Sequence, residues 1–301
     1  MFTDPLTRYD GHPPNGPAAG NGKLHGNGAL NGNGALNGNG AATTSGLLTL
    51  ERPHRGRKPR QKAALQAIIV AGGKGIRLRP YTTLIPKPLV PIGEDHSILE
   101  IVMRQLAEQG FERVILAIGH LGNLIRAYVG DGSQWGIEVE YFQETSPLGT
   151  IGPALMFLDQ CPENFLVMNG DIITNIDYAD LLQTHIKAKS PLTIATYERE
   201  TRIEFGVLGV SGAEVTSFRE KPTMTYAVSM GVYAVARRAL ANYAPGASLG
   251  FDTLIEDMLR SDQRPASYAF DGYWLDIGRP DDYDRANLEF ETMKSSLLRD
   301  L

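Results

Sequence analysis

The chain has 301 residues, 42% of them hydrophobic, and a formal net charge of −5. That is enough for one large domain or two small ones of ordinary soluble composition, and the acidic balance argues against a nucleic-acid binder, which would carry a basic face. The single cysteine, Cys161, excludes an internal disulfide and fits a reducing cytosol. No run of about 18 apolar residues occurs, and the opening MFTDPLTRYD has no apolar stretch of a secretory leader, so a cytoplasmic protein with no membrane partner is expected.

Residues 13–46 are dominated by Gly, Asn, Ala and Pro and contain the repeat GNGALNGNGALNGNG. Such a segment has too little apolar surface to offset its ordering entropy and is expected to be disordered. The basic stretch Arg52–Lys62 follows, either a solvated linker or a phosphate-binding arm. Residues 1–62 therefore read as a disordered tail and linker, and 63–301 as the folded domain.

The texture changes at Leu65. Gln66–Ala71 is a short apolar run closed by Gly72-Gly73, the pattern of a buried parallel strand and tight loop. Ser97-Ile-Leu-Glu100 is a capping-box pattern opening a helix that stops at Gly110. Strands are expected at Arg113–Ile118, Ile137–Phe142 and Phe165–Met168, with helices at Leu121–Val129 and from about Ile151 to Gln160. After residue 190 several strands crowd together: Leu192–Tyr197, Val207–Val210, Val215–Arg219 and Ala227–Val235. Helices near Asp252–Arg260 and Asp281–Leu298 close the domain. The alternation predicts an α/β fold, a Rossmann-like mainly parallel sheet with helices on both faces. The crowded strands read as a mixed-sheet insertion over its mouth.

The segment Gly72-Gly73-Lys74-Gly75-Ile76-Arg77, followed by Pro86-Lys87-Pro88-Leu89, carries the strongest chemical signal. Glycines after a strand let backbone N–H groups surround an anion, and Arg77 and Lys87 would add charge against phosphate oxygens. No Gly-Lys-Ser/Thr closes the loop, and the third glycine of a dinucleotide fingerprint is missing. His120, His185, Trp135 and Trp274 read as packing residues, and no His/Cys constellation for zinc occurs.

The run GGKGIRLRPYTTLIPKPLVPI resembles the signature of the sugar-1-phosphate nucleotidyltransferases, and the likeness extends over about residues 65–290. The resemblance implies nucleotide contacts from Ala71, Gly72, Gly73, Gly75 and Gly170, with Arg77 and Lys87 as catalytic cations. Asn169-Gly170-Asp171 and Trp274-Leu275-Asp276 match the family's two acidic motifs, implying Asp171 and Asp276 as ligands of Mg²⁺. A triphosphate needs such a hard cation to bridge its charges. Gln143, Pro147, Gly149 and Thr150 match the loop that contacts the base, and its Pro-Leu-Gly-Thr form is nearest to the guanylyl-transferring members. Glu220-Lys221-Pro222 implies a lysine on the phosphate of the sugar, so Lys221 counts both as catalytic and as sugar-phosphate-binding. Phe205-Gly206-Val207 matches the segment that lies along the sugar in that family, which implies a sugar contact at Gly206, and Ser229-Met230-Gly231 stands where the family usually has Asn-x-Gly.

The implied reaction moves a nucleoside monophosphate from a triphosphate, GTP favoured, to a mannose- or heptose-type sugar 1-phosphate. The partners are those two substrates, with room for a homo-oligomer. Three alternatives remain open: a thymidylyl-, uridylyl-, adenylyl- or cytidylyltransferase using another sugar or a cyclitol phosphate, a non-catalytic nucleotide-sugar sensor, and a nicotinamide oxidoreductase. The sensor would tend to lose the charged site positions, and the oxidoreductase would need a glycine and an acidic residue that are absent.

Overall fold

The computed structural model describes residues 64–298, so the expected tail and basic linker lie outside the described residues. In chain order the strands and helices are β1 (Leu65–Ala71), β2 (Pro91–Ile92), β3 (His96–Ser97), α1 (Ile98–Glu108), β4 (Phe111–Ile118), α2 (Gly122–Val129) and β5 (Glu138–Gln143). There follow α3 (Gly152–Leu155), β6 (Asn164–Asn169), β7 (Ile172–Thr174), α4 (Tyr178–Ala188), β8 (Leu192–Arg202), β9 (Val207–Ser211) and β10 (Glu214–Arg219). The chain closes with β11 (Thr223–Ala236), α5 (Phe251–Arg260), β12 (Ala266–Phe270), β13 (Trp274–Asp276) and α6 (Pro280–Leu297).

A seven-stranded sheet in the order β12-β8-β11-β6-β1-β4-β5 forms the frame. β5, β4, β1 and β6 run parallel, as do β8 and β12, and β11 alone is reversed between β6 and β8. Period-2 alternation splits the apolar side chains of the central strands between two cores. Ala67 and Ile69 of β1 join α1, α2 and α4 on one face, and Ile68 joins α3 and α5 on the other. A third cluster packs Ile98 and Ile101 of α1 against Leu275 of β13 and Phe290 of α6. None of the described helices is long and apolar enough to cross a membrane.

Three expectations change. The helix expected at Ile151–Gln160 is a single four-residue turn, Gly152–Leu155, followed by a 3₁₀ turn at Leu158–Gln160. There the Ile151 and Gly152 amides both donate to the Leu249 carbonyl, tying this corner to the approach to α5. The strands near Leu192 and Ala227 are not insertion strands. They are the inner halves of β8 and β11, integral to the main sheet, and only their outer halves and the β9–β10 hairpin project. Ser97 caps α1 by accepting from the Glu100 amide, but the Glu100 carboxylate turns instead to Arg104, Tyr128 and His96.

Candidate active site

Four parallel strands end at the same rim, and their carboxyl ends carry the site, as open α/β sheets favour where chain crossovers diverge. β1 ends at Ala71, and the backbone then turns through Gly72–Gly75 into a 3₁₀ turn, Ile76–Leu78. Gly75 is left-handed at φ 58, and its carbonyl accepts from Thr82 Oγ1 at 2.7 Å. A Cβ there would stand 3.0 Å from Thr82 Cγ2, so both conformation and space call for glycine. Gly72 and Gly119 lie so close, at the ends of β1 and β4, that a Cβ on Gly119 would be 2.5 Å from the Gly72 carbonyl.

The 3₁₀ turn Lys87–Leu89, set between prolines, drives Lys87 inward until only 8% of it is exposed. Its Nζ donates to Asp171 Oδ2 at 2.6 Å. The other carboxylate oxygen of Asp171 is buried without a partner. Asp171 follows β6 directly, and Gly170 backs onto β1 with its amide donating to the Val70 carbonyl at 2.9 Å. Antiparallel pairing of β13 with β7 sets Asp276 opposite Ile172, and the Ile277 amide donates to the Asp171 carbonyl at 3.1 Å. Enclosure by the protein and the Asp171 carboxylate push Asp276 above its ordinary pKa, while Lys87 and Arg77 pull it down. Asp171 with its orphaned buried oxygen, Lys87 and Arg77 thus face one cleft of about 400 Å³, lined also by Gly73, Gly75 and Gly278, and Asp276 lies close enough to feel all three charges.

A second hollow of about 540 Å³ lies across the glycine loop, and Gly73, Lys74 and Ile76 line both. Its other walls are Gly72, His120, Glu144, Pro147, Gly149 and Thr150. Gly149 has φ 78, and a Cβ there would be 2.5 Å from the Leu249 carbonyl. Thr150 Oγ1 accepts from the Phe251 amide, holding this loop against α5. Gln143 does not line the hollow. Its amide donates to the Gly119 carbonyl at 3.2 Å, bracing the turn after β4. The next residue projects instead: Glu144 accepts from the Leu148 amide, and burial raises its carboxyl above its ordinary pKa, the amide opposing. Glu144, His120 and Lys74 were absent from the sequence-derived site. Glu144 lies within the Gln143–Thr150 loop that the resemblance marked, between the residues singled out there, and His120 follows Gly119 but reads as a packing residue until the fold places it on this wall.

The residues expected to hold the acceptor stand apart from both hollows. Gly206, Glu220 and Lys221 sit where the β9–β10 hairpin joins the projecting arm formed by the outer halves of β8 and β11, and all three are exposed. Gly206 lies under the Phe218 ring, which a Cβ would meet at 2.5 Å. Lys221 has φ 40, a strained left-handed value for a residue with a side chain. Ser229 precedes an irregularity in β11 where Gly231 has φ 76 and abuts the Asn169 side chain. Its hydroxyl donates to Tyr233 Oη at 2.9 Å and accepts from the Gly231 amide. Trp274 does more than pack: its Nε1 donates to the Met230 carbonyl and its ring meets Tyr197 and Arg199. His185 is a core residue, fully buried, with Nδ1 beside Thr193 Oγ1.

The family model described as nucleotidyl transferase matches residues 66–293. A D-glycero-alpha-D-manno-heptose 1-phosphate guanylyltransferase of Aneurinibacillus thermoaerophilus is 31% identical over 232 residues, 75% of this chain and 99% of the relative. A glucose-1-phosphate adenylyltransferase of Geobacillus stearothermophilus is 29% identical over 74% of this chain and 65% of its own length, so the chain spans about two thirds of that relative. Among solved structures, HddC from Yersinia pseudotuberculosis complexed with GMP-PN superposes with a TM-score of 0.59 at 26% identity, covering 75% of this chain and 99% of that one.

Proposed function

The chain belongs to the nucleotidyl transferase family, and from that premise we propose that it transfers GMP from GTP to a heptose- or mannose-type sugar 1-phosphate, releasing pyrophosphate. The observation that carries this reading is the pair of adjoining hollows, one lined by Glu144 and one where Lys87 pairs with Asp171 beside the glycine loop. The base lies in the first and the triphosphate in the second. Glu144 favours guanine because a carboxylate accepts from the adjacent N1–H and N2–H donors, a pair that only guanine presents. The heptose guanylyltransferase relative and the GMP-PN complex support the same base.

Asp171 and Asp276 fit a divalent cation. Asp171 offers a buried oxygen with no other partner, and the Asp171 carboxylate helps to raise Asp276, so a cation between them would relieve both. No group of three or more His, Cys, Asp or Glu suited to a metal occurs among the described residues. That suits Mg²⁺, which is commonly held by one or two carboxylates plus substrate phosphates. When bound it supplies charge neutralisation for the triphosphate.

The residues themselves position the reaction. Lys221 holds the acceptor phosphate, whose ionised oxygen needs no general base near neutral pH. That oxygen bonds to the α-phosphorus as the α–β bridging bond breaks, and the electron pair departs on pyrophosphate beside Arg77. Lys87 keeps Asp171 oriented, and the backbone of Gly72–Gly75 cradles the phosphates. Catalysis is then geometry plus charge. The reaction requires only residues 63–301 and fits the cytoplasm that the sequence leads one to expect, so a chain starting near Lys62 should retain activity and melting temperature.

The test is pyrophosphate release over a panel of triphosphates and sugar 1-phosphates. GTP with a manno-configured acceptor should give the highest kcat/KM. An equal or higher value for ATP, UTP, CTP or dTTP would refute the base, and no turnover with any pair would refute the reaction.

A further inference from the structure

We propose that Arg199 is a second cation for the acceptor phosphate, held ready by stacking on Trp274. The inference rests on the reading that the acceptor is a sugar 1-phosphate.

Arg199 sits on β8 just where that strand leaves the core, and its guanidinium lies over the Trp274 ring at 5.0 Å from the centroid. Among the described residues it takes part in no ion pair and no side-chain hydrogen bond. Pairing explains why. Arg199 is opposite Tyr226 of β11, with Val228 opposite Tyr197 and Met224 opposite Thr201, so its face of the arm holds no carboxylate. Its sequence neighbours Glu198 and Glu200 point to the other face. β12 pairs with β8 only as far as Tyr197, so no strand covers Arg199 on that edge.

The partner ring is fixed from three sides. Trp274 Nε1 donates to the Met230 carbonyl at 3.1 Å, the Tyr197 ring lies 5.3 Å away, and β13 is anchored to β7. An arginine stacked on an aromatic loses little freedom on binding, and its fork of N–H donors remains available to a tetrahedral anion. Trp274 and Asp276 are two residues apart on one strand and share a face, which separates them by roughly 7 Å. A phosphate reaching from the guanidinium toward the Asp276 side therefore lies where an acceptor must stand to attack a triphosphate held by Asp171 and Asp276. The acceptor phosphate is close to a dianion, and Lys221 alone leaves one charge uncompensated.

Because the chain has two tryptophans, Trp135→Phe leaves Trp274 as the sole reporter, and Trp135 packs against the central core. In that background, sugar 1-phosphate and inorganic phosphate should each change the emission, and free sugar should not. Adding Arg199→Ala should abolish both responses. Kinetically, Arg199→Ala should raise KM for the sugar 1-phosphate by about ten- to a hundredfold, as expected for a lost charged hydrogen bond. KM for GTP should stay within twofold, and Arg199→Lys should recover part of the loss. A KM for the acceptor within twofold of wild type overturns the inference, even if the melting temperature falls, since a residue that only covers Trp274 would do that. A phosphate response that survives Arg199→Ala, or an Arg199-dependent response to free sugar, also overturns it. Those results leave the proposed function standing; a wild-type protein that neither turns over nor responds to any sugar 1-phosphate overturns both.

Discussion

Around Asp171 the cleft is built on well-anchored parts: Lys87 buried in a proline-flanked turn, Gly170 buried and backed onto β1, and Asp276, itself exposed, locked by backbone pairing to β7. Around Lys221 it is built from exposed ones. β8 and β11 are buried in their inner halves and exposed in their outer halves, and β10 is exposed at every position. The first half is pre-formed by packing against two cores, so its side chains have one arrangement before any ligand arrives. The second is a hairpin and two strand ends with no core of their own, so its geometry depends on local pairing. On the proposed reading, donor chemistry is then set by the core, and acceptor choice is left to elements that can change without unfolding it.

The sharpest way to break this comparison is at the two carboxylates. Asp171→Asn and Asp276→Asn should each lower kcat at least about a hundredfold, some 2.7 kcal/mol of transition-state stabilisation. The double variant should cost little more than the worse single one, because both serve one ion. Turnover above a tenth of wild type in either single variant, at saturating Mg²⁺, would show that the buried half does not organise the chemistry.

Stability should separate the halves as well. Gly149 and Gly212 both have left-handed backbone, at φ 78 and φ 60, but only Gly149 is crowded, and nothing lies within 4 Å of a Cβ on Gly212. Gly149→Ala meets both strain and the Leu249 carbonyl, which together should cost about 2–4 kcal/mol. Gly212→Ala meets strain alone, about 1 kcal/mol. For a domain of this size, melting should fall by roughly 5–15 °C in the first and less than about 5 °C in the second. Equal shifts would mean the hairpin is as tightly packed as the rim.

Glu144→Gln should come next in size. It replaces an acceptor-only group with one that presents a donor toward guanine. A loss of about ten- to a hundredfold in kcat/KM for GTP, with ATP less affected, is expected. An unchanged ranking of triphosphates would remove Glu144 from base selection.

What could be read without the fold follows the same division. The glycine loop, Lys87, Asp171 and Asp276 announce themselves because each sits in a local pattern of glycine, proline or apolar run, even though the Lys87–Asp171 pair spans 84 positions. The helix α4, not among the elements expected from the sequence, is marked just as locally: Asp177 caps it, and Tyr178, Leu181, Leu182 and His185 repeat at helical spacing. The collapse of the helix at Ile151 was not legible, because it is decided by the Leu249 carbonyl a hundred residues away. Trp274 and Arg199 belong to that second class. Their surroundings come from strand register, and one residue of slippage would put each on the other face.

The smallest expected effect, and the one that bears most on how acceptors are chosen, is at Ser229. Serine stands where the resembling family usually has asparagine, which reaches further and offers a donor pair and an acceptor. The structure shows both functions of the serine hydroxyl in use, one on Tyr233 Oη and one on the Gly231 amide. Tyr233 in turn stacks on Phe251, with ring centroids 3.4 Å apart. The serine is therefore part of the support of the bulge as well as a candidate contact, and the two roles make different predictions. If it selects the sugar, Ser229→Asn should shift the ranking of glucose 1-phosphate against mannose 1-phosphate and a heptose 1-phosphate by up to about tenfold, with GTP unaffected. Tyr233→Phe should then leave the ranking alone, since the hydroxyl of Ser229 stays free to bond the acceptor. If Ser229 only supports the bulge, both variants should raise KM for every acceptor together and lower the melting temperature by a few degrees. We expect the first pattern, because Ser229 is exposed and lies on the arm just before Met230, where β11 enters the core. A common rise in KM across all three sugars in both variants would move acceptor selection from position 229 to the hairpin around Gly206 and Lys221.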